Sequence, residues 1–429
     1  NHTAQRVASK IEMHELYLYA ILGIPTWTLV DGTWAILSQL ADNLPEGYDI
    51  SAYLILSLTL GNLVPLIIGL TVKDSSTILK KLIYGILITG FVTGIIMALV
   101  WDKSVAFGST SSSLPLFILF FVVGTCSSSS NVTHFTYVSK SAAHNTTALA
   151  TGMGLGSMTA GILALLQGLV LRHYGFSVTL FYIVLATIYI PAVIAFSRLN
   201  RYNKYQNVNA DDIASRSESN SNSGSLLEHN LGNPSTSNST ENILLLMDAK
   251  EQGGVEYTEM TFLSENWHIL CLQMINACLG FGFVPALISF ACGKFESAYL
   301  VLQLATGITA VIDPLSKFLT YFVRLESLWS LQIASAGLVC LAIGLVLCAA
   351  LPSSFSLYKG SGGVVPIVLY VSFMALFGFT NTSIFRYFKH EVKAHFVHHA
   401  YRWSGVFCQA GALLGSLIAF IVIVTGALS

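Results

Sequence analysis

Trp27-Thr28-Leu29-Val30-Asp31-Gly32-Thr33-Trp34 is the stretch on which the reading of this chain turns. It lies in a run, residues 16–40, that carries no other charge and is long enough to cross a bilayer as a helix. In a helix Trp27, Asp31 and Trp34 fall at i, i+4 and i+7 and so share one face. A carboxylate near the centre of a membrane span costs roughly 2.5–3.5 kcal/mol on the insertion scale. With an indole on either side of it, the face is expected to line a solute pathway. The alternative is a carboxylate bonded to a neighbouring helix for packing alone.

Composition marks the chain as a membrane protein. Of its 429 residues 54% are hydrophobic and 10% charged, against roughly 25% charged in soluble domains. The net charge of -1 gives no reason to expect a nucleic-acid partner. The seven cysteines form no CxxC pair, and all but Cys292 lie within apolar runs, so neither a disulfide framework nor a metal site is expected. The residues before 16 lack a basic segment followed by a small-residue cleavage site, so 16–40 is expected to be a retained span. The chain opens on Asn1, and trimming at its start is expected.

Hydropathy gives eleven spans, six before a long polar stretch and five after it. The first six are 16–40, 50–72, 78–100, 114–138, 151–171 and 176–196. The last five are 267–291, 297–322, 328–351, 364–388 and 400–425. The fourth span is diluted by Cys126 to Asn131, and the tenth is interrupted by Asn381 and Arg386. Residues 197–265 are dense in Ser, Asn, Asp and Glu and read as a disordered linker. The expectation is an all-α integral membrane protein of four parts: an N-terminal segment 1–15, a six-span bundle 16–196, the linker 197–265, and a five-span bundle 266–429. Two bundles facing each other are the arrangement of carriers that rock about a midplane site. No sequence similarity between the halves is evident.

Basic residues set the orientation. With the N-terminus in the cytosol, the outer loops hold only Lys103, Arg172, Lys294 and Lys359. The inner segments hold the rest, among them Lys73, Lys80, Lys81, Lys140, Arg198, Lys204, Arg324, Lys389 and Lys393. The C-terminus is then extracellular and the linker cytosolic.

In lipid a polar side chain needs a partner or a wet cavity. Asn62 follows Gly61 in the second span. Ser127, Asn131 and His134 form a stripe on the fourth, with Tyr137 at its edge. Gln167 marks the fifth; Gln273 and Asn276 the seventh, ahead of Gly280, Gly282 and Pro285; Asn381 the tenth; Gln409 the eleventh. On the eighth, Gln303, Thr306 and Asp313 share a broad face. For many of these the alternative is a hydrogen bond that joins two helices. Asp313 and Lys317 are spaced for a mutual ion pair, and Arg386 is placed to snorkel to the inner surface.

Several apparent motifs dissolve. Gly152-Met-Gly-Leu-Gly156 has no preceding strand and reads as a close-packing face, as does Gly90-Phe-Val-Thr-Gly94. His390-Glu391 with His395 misses the zinc-protease spacing, and His395, His398 and His399 read as a solvated loop. No nucleophile–base pair or phosphate loop is present. The chain is not expected to be an enzyme or to hold a cofactor.

A family resemblance rests on particular runs. Trp27…Asp31-Gly32-Thr33-Trp34, Leu44-Pro45-Glu46-Gly47-Tyr48 and Gly61-Asn62-Leu63 resemble the start of the eukaryotic riboflavin (vitamin B2) transporters, solute carrier family 52. So do Cys126-Ser-Ser-Ser-Ser-Asn131-Val132-Thr133 and Leu166-Gln167-Gly168. Asn276-Ala277, Val284-Pro285-Ala286, Ser289-Phe290-Ala291-Cys292 and Gly405…Gln409-Ala410-Gly411-Ala412-Leu413-Leu414-Gly415 extend the likeness to the second half.

The resemblance implies an eleven-span plasma-membrane carrier taking up riboflavin, without sodium and favoured by acid. It implies a bundle layout similar to major-facilitator and equilibrative nucleoside carriers. Isoalloxazine is flat and polar at its edges, which suits an aromatic wall with amide and carboxylate partners. Trp27, Asp31, Trp34, Asn62, Asn131, Asn276 and Gln409 are the residues expected to supply these. Two departures stand out. The family usually has Asn where this chain has Asp31, and Glu-Leu-Pro where it has Ile36-Leu37-Ser38. Asp31 is therefore the candidate for proton coupling, because burial favours the neutral form of a carboxyl group. The same departures leave open a carrier for another planar heterocycle, such as a nucleoside or pterin. A membrane receptor that does not transport is a further alternative.

The topology has a direct check. Asn145 and Asn238 lie in acceptor sequences that face the cytosol in this arrangement, so both are expected to carry no glycan. Glycan found on either by mass spectrometry overturns the orientation.

Overall fold

The computed structural model describes residues 2–65, 67, 76–108, 110–138, 143–170, 176–201, 259–320, 322–325, 327–351, 359–392 and 397–427. Within them the chain is almost wholly helical. The helices are α1 (His2–Gly23), α2 (Pro25–Ala35), α3 (Leu37–Asn43), α4 (Ile50–Gly61), α5 (Ser76–Val100), α6 (Leu114–Val138), α7 (Ala143–Leu169) and α8 (Val178–Thr187). After the linker come α9 (Glu259–Ala277), a π-helical turn (Cys278–Phe283), α10 (Val284–Gly293), α11 (Ala298–Leu319), α12 (Leu328–Ala350), α13 (Val364–Glu391) and α14 (Val397–Val424). Residues 1–198 and 268–429 form one compact unit, and Leu199–Trp267 a second, of which residues 202–258 lie outside the described part. Lys73, Lys140, Arg172, Lys204, Asn238, Lys393 and His395 also lie outside it.

Nine helices among the described residues are long and apolar enough to cross a membrane, and ten if the bent first pair is one span. The second expected span, 50–72, begins as α4 and runs into residues 66 and 68–75, outside the described part. The first expected span is not one helix. Pro25 lacks an N–H and starts α2 after the end of α1 at Gly23. A second break at Ile36 turns α3 by 50° from the preceding helix. Helix α1 starts at His2, so residues expected to form a tail before the first span are helical.

The departure from an all-α plan is a hairpin between α5 and α6. Strands β1 (Val105–Phe107) and β2 (Thr110–Ser112) pair antiparallel, with Ala106 opposite Ser111. Glu46, from the turn between α3 and α4, holds it down. The Glu46 carboxylate accepts from Ser112 Oγ (3.0 Å), Ser113 N (2.7 Å) and Ser113 Oγ (2.7 Å), at the start of α6. A carboxylate at a helix N-terminus satisfies donors that the helix leaves free. This is the loop end of the molecule; α6, α11 and α13 run away from it.

Glycine pairs set the distance between the long helices. A Cβ on Gly152 or Gly156 of α7 would lie 2.0 Å from the carbonyl oxygen of Ala20 or Ile24, so only glycine lets α1 and α7 approach this closely. The same device recurs six spans later. A Cβ on Gly411 or Gly415 of α14 would lie 2.1 Å from the Met274 oxygen or 2.0 Å from the Cys278 oxygen. In both cases the glycines are four residues apart and meet carbonyls four residues apart, and the next helix along the chain has a proline in its first turn, Pro25 or Pro285. Spans one and five are thus packed as spans seven and eleven are, a repeat that sequence identity between the halves does not display.

Gly156→Val is expected to lower the thermal midpoint by several degrees, since overpacking costs about 1–3 kcal/mol. Gly85→Ala, where an added Cβ meets nothing within 4 Å, is the control and is expected to leave it unchanged. Equal midpoints for the two, measured by thermal denaturation in detergent, would refute this packing.

Candidate functional site

Eight of the eleven residues of α2 are buried, and the three that are not are Trp27, Asp31 and Trp34. The rest of the helix is anchored from behind. Thr33 Oγ1 donates to the Leu29 carbonyl (2.8 Å), and Tyr182 Oη on α8 donates to Thr33 Oγ1 (3.2 Å). Gly32 leaves room for Leu185, whose Cδ1 lies 2.3 Å from where a Cβ would sit. The helix is thereby turned so that the two indoles and the carboxylate face the one open side.

Each of the three has a neighbour. Ser157 Oγ on α7 donates to Asp31 Oδ2. Trp27 Nε1 donates to Asn131 Oδ1 on α6 (3.3 Å), and the Trp34 ring meets Phe120 edge-on at 6.3 Å. Ser128, one turn from Asn131, donates to Asn62 Oδ1 at the end of α4. The structure therefore links Asn62, Asn131, Trp27 and Asp31 through α6 and α2. Tyr137 packs between the rings of Tyr19 and Phe196.

The second half contributes differently. Asn276 is fully buried and its Nδ2 donates to Ser335 Oγ on α12 (2.8 Å), inside its own bundle. Gln273 Nε2 donates to Asn381 Oδ1 (2.7 Å), and Gln273 lies against Cys408, the neighbour of Gln409. The amide oxygens of Gln273 and Gln409 are buried without a hydrogen-bond partner among the described residues. Two acceptors without donors on adjacent helices mark a place for a donor-rich solute or water. Phe281, in the π-helical turn, is half-buried and meets Phe377 edge-on at 4.7 Å. It lies three residues past Cys278, as Trp27 lies three past Ile24. Sequence reading passed over it, and the offset between the two glycine pairs is the signal that finds it.

The break at Ile36 ties the halves together. Gln303 of α11 is fully buried, and its Nε2 donates to the carbonyls of Ala35 (3.3 Å) and Ala164 (3.0 Å). Ser38 Oγ donates to Gln303 Oε1 at 2.5 Å, and Gln39 and Gln167 exchange amide hydrogen bonds. At the loop end, Ser289 Oγ lies 2.5 Å from both the Tyr48 carbonyl and Ser51 Oγ, and Ser51 Oγ donates to the Ala286 carbonyl (2.5 Å). Midway, Thr59 and Ser416 hydroxyls meet at 2.8 Å. Burial raises the Asp49 carboxyl and the Tyr48 phenol of this turn above their ordinary values, the phenol also through Asp42.

The expected ion pair is present: Lys317 Nζ lies 2.6 Å from Asp313 Oδ2. Arg386 does not simply reach for water. Its Nη1 donates to the Thr320 carbonyl, which closes α11, where a cation is favoured by the helix dipole. No cluster of metal-ligating residues occurs among the described residues. The geometry suits holding a flat solute with polar edges.

Residues 11–174 and 170–428 match the family described as solute carrier family 52, riboflavin transporter. A Danio rerio protein named solute carrier family 52, riboflavin transporter, member 3-A, is 24% identical over 448 residues, covering 94% of this chain and 95% of its own. Riboflavin transporter 2 of Salmo salar is 22% identical, covering 94% of each chain. Among solved structures, the nucleoside transporter NupG has a TM-score of 0.55 at 13% identity, over 95% of this chain and 90% of its own. A D-xylose–proton symporter has a TM-score of 0.52 at 11% identity, over 96% and 88%. At these identities the solved structures speak for the fold alone, that of the major-facilitator carriers.

Proposed function

We propose, because this chain belongs to the riboflavin transporters of solute carrier family 52, that it takes up riboflavin across the plasma membrane by alternating access. The family and its members are carriers, not enzymes. The observation that carries the substrate reading is the face of α2: two indoles and a carboxylate left open on a helix otherwise buried. Isoalloxazine lies against the aromatic wall, and its polar edge meets Asp31 and Asn131. The ribityl hydroxyls are the donors that Gln273 and Gln409 lack.

Alternating access is supported by where the halves touch. The bonds of Ser38, Tyr48, Ser51 and Thr59 to the second half lie at the loop end and midway along the molecule. The loop end also bears Lys103, Lys294 and Lys359, the sparse basic set expected outside. In this reading the carrier is closed to the outside, its N-terminus is cytosolic, and Asp31 takes the proton that favours uptake from acid.

Uptake of radiolabelled riboflavin by cells expressing the chain tests this. Saturable uptake that needs no sodium and is suppressed by lumiflavin is expected. Suppression by nucleosides instead identifies another heterocycle, and surface expression without uptake identifies a receptor. Trp27→Ala and Trp34→Ala are each expected to raise KM about 2- to 10-fold, from roughly 0.5–1.5 kcal/mol per aromatic contact. Asp31→Asn is expected to flatten the dependence of uptake on pH, and an unchanged profile removes Asp31 from proton coupling.

A further inference from the structure

Asp31 has charged neighbours on the other half. Its carboxylate feels both Lys317 and Asp313 of α11, and Tyr370 of α13 feels Asp31 and Asp313 together. The packing explains the closeness. Ser157 holds Asp31 from α7, and Gly154, one turn away on the same helix, lies 3.3 Å in Cβ distance from Pro314, the residue after Asp313. On its far side Asp313 is walled by α13, where a Cβ on Gly378 would lie 2.5 Å from Asp313 Oδ1. Asp313 is thus fixed, whereas Lys317 is exposed over 43% of its side chain, one turn further from the loop end.

We infer that Lys317 is a positioning residue of the carrier: its ammonium, paired with Asp313 here, passes to the carboxylate of Asp31 when the halves close at the end away from the 44–49 turn. This rests on the reading of Asp31 as the proton-accepting acid. A charged Asp31 draws Lys317 across and holds that end shut while the loop end opens. A proton on Asp31 from the outside cancels the attraction, and Lys317 returns to Asp313. The end away from the turn then opens with substrate inside. Loss of the proton to the cytosol resets the pair. Tyr370 of α13, Tyr182 bonded to Thr33, and His134, whose Nδ1 meets Thr133 Oγ1 at 3.1 Å, are uncharged in this scheme. The charged groups on the other elements packed against α2 are engaged or placed elsewhere: Glu15 of α1 accepts from Asn145 Nδ2 (3.3 Å), Asp42 of α3 accepts from Tyr48 Oη (3.2 Å), and Lys80 and Lys81 lie in the first two turns of α5.

Two readouts on Lys317→Met test the exchange. Net riboflavin uptake is expected to fall about tenfold, the scale of an ordinary coupling between two states. Its pH dependence is expected to flatten as in Asp31→Asn, while the riboflavin Kd stays within about twofold. Lys317→Arg is expected to restore both rate and profile. The second readout needs no substrate: the thermal midpoint of the purified protein is expected to vary with pH between 5.5 and 7.5, and to lose that variation in Lys317→Met. If the unaltered protein moves no riboflavin, the substrate reading fails and the midpoint series alone decides the exchange. Retention of the unaltered pH dependence in Lys317→Met overturns the inference. So does its recovery in Asp313→Asn/Lys317→Met, which would make the pair purely structural.

Discussion

A carboxylate in the middle of a membrane helix has to be held, and much of this molecule follows from how Asp31 is held. Water is not available on the buried side of α2, so each threonine there is met by protein: Thr26 and Thr28 by the Gly23 and Ile24 carbonyls, Thr33 by the Leu29 carbonyl and Tyr182. On the open face Asp31 is held by Ser157. What remains uncovered is one narrow face with two indoles beside the acid. The helix then breaks at Ile36, which frees the Ala35 carbonyl, and the donor that satisfies it comes from Gln303 on the other half. The wall of the site and the tie between the halves are therefore parts of one arrangement.

The halves themselves are rigid in matching ways. Gly152 and Gly156 pack on the carbonyls of Ala20 in α1 and Ile24 just after it, as Gly411 and Gly415 pack on those of α9 and the π-helical turn. Backbone-to-backbone approach of this kind leaves little freedom within a bundle. Across the halves α7 and α11 also pack closely, at Gly161 against Ala310, but the hydrogen bonds there come from hydroxyls and neutral amides, each worth only about 0.5–1.5 kcal/mol net. Such bonds can be exchanged for water or for other partners as the bundles rock, without breaking either bundle. Rigid halves joined by exchangeable bonds are what a carrier with a central site requires.

Much of this was legible in the sequence because a membrane permits few structures. Hydropathy located nine spans that the described residues show as long helices, and the period of 3.6 put Trp27, Asp31 and Trp34 on one face. Spacing alone paired Asp313 with Lys317, and the lack of a strand before Gly152 made its run a packing face. The break at Ile36 was not legible, since no proline stands at 36–38 and the bend is held by Gln303 from far along the chain. Nor could spacing choose between substrate contact and interhelical bond for a lone amide: Asn276 and Gln273 each donate to another helix, to Ser335 and Asn381, and yet, like Gln409, each keeps a buried amide oxygen without a hydrogen-bond partner among the described residues. The hairpin at 105–112 reads as polar loop because its order comes from Glu46, sixty residues earlier. Phe281 became visible only through the repeat.

The central claim is that the Trp27–Asp31–Trp34 face is the wall against which the substrate lies. Cryo-electron microscopy of the protein saturated with riboflavin measures this most directly. The expected result is isoalloxazine density against both indoles, with a polar edge in hydrogen-bond range of Asp31. Density elsewhere in the molecule, or the two indoles turned toward lipid, contradicts it.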